Sequence, residues 1–371
     1  MVAKFSSREG DIFGLSSTNA ATTDVTEKQE AFMFVKFSRS LVFVVVLLVG
    51  AVSYTFAGGQ KEAPATQSSS SPQVTVGLVV KTLTNPYFVT MISDAKKYAA
   101  EKGVKLMTAA GAYDGDNSGQ VTAMENMASA GVKGILVTPN DSSAIVPTLQ
   151  KLRQQGVVII ALDTPTVPED ATDGLLATDN KEAGRLIGEY AKAAMAGKTP
   201  IIAMMDGTAG TSVSQLRHDG FLAGFGIAEG DPQIVSEQAT NGDQAKAQTA
   251  MENSLTKAPN INLVYSINEP AGFGAYTALK NAGKAENVMI VSIDGSCAGI
   301  RAVQSGQFAA DAMQFPGKMA TMGIDAVIKY AQTGVKPSGY VNTGTVLVTD
   351  KPLAGVTSQT TAFGLQNCWG K

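Results

Sequence analysis

From Val74 onward, short apolar runs alternate with longer stretches whose apolar positions recur at helical spacing. The runs predict strands over 74–80, 105–110, 134–137 and 157–162, separated by helices over 86–102, 118–130 and 142–155. Pro86 sits in a first-turn position, and Gly103, Gly131 and Gly156 stand where each helix must stop. The alternation resumes with strands over 201–205, 234–238, 262–267, 288–293 and 308–313. Helices are predicted over 181–195, 212–228, 243–255, 270–281, 299–305 and 316–332, with extended segments at 172–178 and 343–348. Strands this continuously apolar need cover on both faces, which means parallel sheets between helices. There are too many units for one small sheet. The pattern predicts an α/β chain of two doubly wound parallel-sheet lobes, joined by a three-strand hinge with crossovers near 178, 315 and 345. The first lobe is expected over 73–178 plus 315–345, and the second over 179–314 plus 346–371.

The N-terminal part reads differently. Residues 1–32 are polar; Met33 then opens a segment carrying Lys36 and Arg39, followed by an apolar run over 41–52. Thr55-Phe56-Ala57 places small residues at the positions a signal peptidase reads. The combination predicts an export signal cleaved near Ala57, and hence a periplasmic protein. Retention as a membrane anchor is the alternative, but the run falls short of the roughly 20 residues a span requires. No Cys follows the apolar run, so lipid attachment is not supported. An internal signal suggests that translation begins at Met33. Residues 58–72, rich in Ser, Gly, Ala and Pro, are expected to be a flexible linker.

Composition narrows the function. The formal net charge of −3 argues against a nucleic-acid binder, which needs an excess of Lys and Arg. His218 is the single histidine, so paired-histidine sites and histidine-based triads are excluded, and it is expected at the surface. With only Cys297 and Cys368, a four-thiolate zinc site is excluded too. In an exported chain two cysteines often pair, and a Cys297–Cys368 disulfide is expected in the second lobe; two buried free thiols are the alternative. No Gly-x-Gly-x-x-Gly follows the first strand, which removes a dinucleotide site. Asp206-Gly-Thr-Ala-Gly-Thr-Ser212 opens a helix and is open to an anion, but it lacks a P-loop lysine. An ordinary strand–helix turn is the stronger reading. Asp163 and Asp294 allow a distant hydrolase reading, without a nucleophile elbow or metal cluster to accompany them.

In doubly wound sheets, ligands bind at the carboxyl ends of the strands. The loops there carry Asn85, Asp163, Asn268, Asp294 and Gln314, the cation Arg217, and the rings of Tyr87 and Phe88. This chemistry suits an uncharged polyol. Sugar C–H faces pack on rings, carboxylates accept from adjacent hydroxyls, and amides offer one donor and one acceptor group.

The same residues carry a resemblance. Lys81-Thr…Thr84-Asn-Pro-Tyr-Phe88, Ile160-Ala-Leu-Asp-Thr-Pro165, Arg217-His-Asp-Gly-Phe221, Ile267-Asn-Glu-Pro270, Asp294-Gly295, Met313-Gln-Phe-Pro316 and Asn367-Cys-Trp-Gly370 resemble periplasmic sugar-binding proteins of the ribose and fructose type. These are the solute receptors of ABC transporters, with the type I periplasmic binding protein fold. The resemblance implies ligand contacts at Asn85, Tyr87, Phe88, Asp163, Arg217, Asn268, Asp294 and Gln314. Lys81 and Asn241 are added here as further polar contacts. Two departures stand out. Thr164 replaces the ribose-type arginine after the fourth-strand Asp, and Gly near Asn241-Gly242 replaces a closing aromatic. Both enlarge the pocket or change its polarity. The resemblance therefore makes fructose the first expected ligand, with ribose, xylose, glucose, galactose or inositol next. It implies no enzymatic step, no cofactor, a monomer, an ABC permease as partner, and a chemoreceptor as a further partner of the same form. The effector half of a transcription regulator shares the architecture but needs a helix-turn-helix where the apolar run lies.

Overall fold

Residues 73–371 are described by the computed structural model of the chain. The export signal, the linker and the Met33 start lie outside the described residues. In chain order the strands are β1 (Thr75–Val80), β2 (Lys105–Ala110), β3 (Gly134–Val137), β4 (Val158–Leu162), β5 (Gly174–Ala177), β6 (Ile202–Asp206), β7 (Ile234–Ala239), β8 (Leu263–Ser266), β9 (Met289–Asp294), β10 (Ala310–Met313), β11 (Tyr340–Asn342) and β12 (Val346–Val348). The helices are α1 (Pro86–Glu101), α2 (Asn117–Ser129), α3 (Val146–Gln154), α4 (Asn180–Ala194), α5 (Ser212–Phe225), α6 (Gln244–Lys257), α7 (Glu269–Asn281), α8 (Cys297–Gln304), α9 (Pro316–Thr333) and α10 (Thr361–Asn367).

The strands form two six-stranded sheets, ordered β11-β5-β4-β3-β1-β2 and β12-β10-β9-β8-β6-β7. Within each sheet the order reverses beside the first strand, the switch point of a doubly wound fold. All pairings are parallel except β10 with β12, which is antiparallel at the edge. The chain passes between the sheets three times: after β5, after β10 and between β11 and β12. In β1, Val76, Leu78 and Val80 pack with α1 and α9 through Met91, Ile92 and Ile324. Val79 turns to the opposite face, against Met124 and Leu149. Both faces of the sheet are thus buried, which is why the strand reads as one apolar run.

Helices α4 and α5 come together backbone to backbone. A Cβ on Gly184 would collide with the carbonyl oxygen of Arg217, and one on Gly220 with that of Lys181. Gly188 and Gly224 repeat the arrangement one turn on, against Phe221 and Arg185. This contact fixes the part of α5 that carries Arg217. Among the described residues, no helix is long and apolar enough to cross a membrane.

Cys297 and Cys368 are disulfide-bonded across a separation of 71 residues. Closing a loop of that length stabilises by about 4 kcal/mol in the chain-entropy account. The double substitution Cys297→Ser/Cys368→Ser is expected to lower unfolding free energy by roughly that amount, read as a lower midpoint in urea. An unchanged midpoint would refute the assignment of stability to this bridge.

Candidate functional site

The ten residues singled out from the sequence surround one cleft between the sheets. Lys81, Asn85, Tyr87, Phe88 and Asp163 come from the first lobe, and Arg217, Asn241, Asn268 and Asp294 from the second. Gln314 lies on the crossover after β10.

Arg217 is the centre of the arrangement and is 4% exposed. Its Nε donates to Asn180 Oδ1 at 2.8 Å and its Nη1 to the Ile267 carbonyl at 2.9 Å. The carboxylates stand further off, at 3.8 Å each: Asp163 on one side and Asp294 on the other. The guanidinium is therefore oriented by neutral acceptors. The two carboxylates compensate its charge while keeping lone pairs free for a guest's hydroxyls.

Each carboxylate is held from behind. Asp163 follows β4 with φ of 63°, a left-handed conformation that Asp tolerates better than most residues. Its oxygens accept from Tyr87 Oη at 3.2 Å and from Thr164 Oγ1 at 2.8 Å. Asp294 ends β9 and accepts from Gln314 Nε2 at 2.7 Å and from the Glu269 amide at 3.3 Å. Tyr87 also approaches Gln314 Oε1 at 3.1 Å, so its hydroxyl links the two sides. Its ring meets Phe88 and Trp369 edge to face, with centroids 5.3 and 5.6 Å away. Burial, then the Asp163 charge, pushes the Tyr87 phenol well above its ordinary range.

The two asparagines also serve as helix caps. Asn85 Oδ1 accepts from the Tyr87 amide at the start of α1. Asn268 Oδ1 accepts from the Ala271 amide at the start of α7, while its Nδ2 donates to the Gly242 carbonyl at 3.2 Å. Lys81 is 3% exposed, and Asn241 is half-buried with φ of 55°. Asn241 reaches the Asp114 carbonyl across the cleft at 3.4 Å, and Thr208 reaches the Asp114 carboxylate at 2.5 Å. The lobes therefore touch at the rim. Gly207, Thr208 and Thr211, from the turn between β6 and α5, line the same cleft.

His218 corrects the expectation of a surface position. It is 6% exposed and sits between Asp206 and Glu229, which push its imidazole up to about 9 despite the opposing effect of burial. Asp206 at the end of β6 and the Tyr265 ring of β8 meet it from the sheet, contacts of which helical periodicity gives no sign.

The sequence reading missed three supporting residues. Asn180 holds Arg217 and donates to the Asp163 carbonyl at 2.9 Å. Glu269 and Asp311 stand behind Asp294; Glu269 accepts from the Ser296 amide at 2.8 Å, and Asp311 from the Gly295 amide at 3.2 Å. Asp311 was the most visible of these, a lone carboxylate in the buried strand Ala-Asp-Ala-Met. Burial raises all three acids. Asp294 is pushed up to about 7 against the pull of Arg217, and Glu269 goes well above its usual range. An acid whose folded pKa is raised binds its proton more readily in the fold than in the unfolded chain. Stability should therefore fall as pH rises from about 4 through about 7. Thermal melting of the ligand-free protein across that window is the check, and Asp311→Asn should flatten the slope.

The model of the periplasmic binding protein domain family matches residues 76–335. The chain belongs to this family. The ribose import binding protein RbsB of Salmonella typhimurium is 31% identical over 69% of this chain and 84% of its own. The D-ribose/D-allose-binding protein of Pseudomonas aeruginosa is 30% identical over 81% of this chain and 97% of its own. Among solved structures, a periplasmic solute binding protein of an ABC transporter from Actinobacillus succinogenes, with bound D-allose, superposes with a TM-score of 0.67. It is 30% identical and covers 75% of this chain and 98% of its own. These relatives are binding proteins rather than enzymes, and the periplasmic binding protein described here is a binder too.

Proposed function

We propose that this protein is a periplasmic receptor that binds one monosaccharide between its lobes and delivers it to an ABC permease, with fructose as the first candidate. The observation that carries this reading is the pair of buried carboxylates, Asp163 and Asp294, each 3.8 Å from Arg217. That spacing leaves acceptors directed at hydroxyls and a cation beside them, and gives an anionic ligand no net positive welcome. The ribose and allose named for the relatives support a pentose or hexose as guest. Fructose is favoured over ribose by Thr164, whose hydroxyl is spent on Asp163, and by Gly242, which adds no side chain to the rim. Binding would shift the lobes toward the closed arrangement, whose paired faces then meet the permease. A chemoreceptor would be served by the same form, and the receptor is expected to act as a monomer.

A thermal-shift screen of the purified protein against pentoses, hexoses and polyols tests the proposal. A specific sugar at 100 times its Kd should stabilise by about 2.7 kcal/mol. Stabilisation by another sugar but not by fructose would remove fructose and keep the receptor. No stabilisation by any of them would overturn the reading.

A further inference from the structure

A second polar cluster lies in the second lobe beside the cleft, where β6 ends in Asp206, α5 carries His218 and the edge strand β7 carries Glu237. One ligand atom from each of these residues lies within 4.8 Å of the other two. Donors about 2.1 Å from a tetrahedral ion stand about 3.4 Å apart, so small side-chain movements suffice to close around one. His218 Nδ1 is 2.9 Å from Asp206 Oδ1, and its Nε2 is 2.8 Å from Glu229 Oε2. A carboxylate on the far ring nitrogen is the arrangement that orients a metal-bound imidazole and strengthens it as a ligand.

Two further observations point to a missing partner. Among the described residues, Asp206 Oδ2 is buried without any hydrogen-bond partner. The fully buried Tyr265 hydroxyl has none either, and its ring meets His218 edge to face with centroids 6.3 Å apart. Buried polar atoms are rarely left in this state. Glu237 makes no side-chain hydrogen bond or ion pair among the described residues. Four carboxylates, those of Asp206, Asp219, Glu229 and Glu237, line the hollow with His218, and among the described residues no Lys or Arg joins them.

We propose that Asp206, His218 and Glu237 form a binding site for a divalent transition-metal ion of the zinc class, with Glu229 orienting the imidazole. The nitrogen donor selects such an ion over calcium or magnesium, which take oxygen ligands. The ion would take the place of the Asp206–His218 hydrogen bond and give the unpartnered carboxylate oxygen a cation. The site shares Gly207 and Ser214 with the sugar cleft, so a bound ion would brace the β6–α5 turn from the side opposite the guest.

His218 is the only histidine of the chain, so protein purified without a histidine tag gives an unambiguous assay. After chelator treatment and its removal, zinc is titrated against a chromophoric competitor. The expected result is one saturable zinc per chain, with His218→Asn and Glu237→Gln each lowering affinity at least about tenfold. Glu237 is exposed, so Glu237→Gln leaves the fold intact, with an unchanged melting temperature as the control. No saturable uptake up to about 1 mM zinc, or affinity unchanged in both variants, would overturn the proposal.

Discussion

Asp163→Ala is expected to weaken sugar binding about 100-fold or more while leaving a folded protein. Asp163 is 3% exposed and accepts from Tyr87 and Thr164 while facing Arg217. Removing it strands the Thr164 hydroxyl, leaves the Tyr87 hydroxyl to Gln314, and takes away the acceptor offered to the guest. Truncating one partner of a buried, hydrogen-bonded charged pair costs about 2–5 kcal/mol of binding, and 100-fold corresponds to about 2.7 kcal/mol. Asp294 remains beside Arg217, so the cation is not left uncompensated and the unliganded fold should survive. Alanine at φ of 63° adds backbone strain of about 1 kcal/mol, which Asp163→Asn avoids because Asn tolerates that conformation. The Asn variant should lose binding as well, since its amide removes the charge and replaces one of the two acceptor oxygens, each now bonded by Tyr87 or Thr164, with a donor. Calorimetric titration with the sugar found by screening is the measurement. An undiminished affinity in both variants would remove Asp163 from the site.

The strands and helices were legible because both sheets are covered on both faces. A strand such as β3, buried at all four positions, leaves no polar residue to blur the run. β11 was not legible. It is a three-residue edge strand whose Tyr340 and Val341 are exposed, so it carries neither an apolar run nor an alternation. The seven residues of α10 are too few to show a helical period. The lining of the cleft was legible where polar side chains stand just after apolar strands, as with Asp163, Asn268 and Gln314. It was illegible one layer back. Asn180 reads as the ordinary start of a helix, and Glu269 as part of a turn before Pro270. Their roles depend on which side chains the two sheets bring together, and no local pattern encodes that. His218 was misplaced for a related reason: Asp206 of β6 and Tyr265 of β8 meet it from the sheet, while the other side of α5 meets α4 through glycines.

Those glycines allow a test in which two effects oppose. In a helix interior, Gly→Ala ordinarily stabilises by about 1 kcal/mol, because Ala loses less backbone entropy on folding. At Gly220 the added methyl would strike the Lys181 carbonyl oxygen, and α4 offers only backbone there to yield. Neither helix can relax alone, since Gly224 meets Arg185 and Gly184 meets Arg217 in the same seam. Overpacking of this kind costs about 1–3 kcal/mol and more where backbone must move. Packing should therefore outweigh propensity, and Gly220→Ala is expected to destabilise by about 2 kcal/mol or more in urea unfolding. The consequence reaches the cleft because Arg217 lies one turn before Gly220 on the same helix. A shift of α5 by about an ångström would break the reach of Arg217 to Asn180 and Ile267, both now under 3 Å in a geometry that weakens steeply with misalignment. Sugar affinity should then fall with stability, although residue 220 does not line the cleft. A variant that is stabilised, as propensity alone would have it, would show that α4 and α5 do not meet through these glycines.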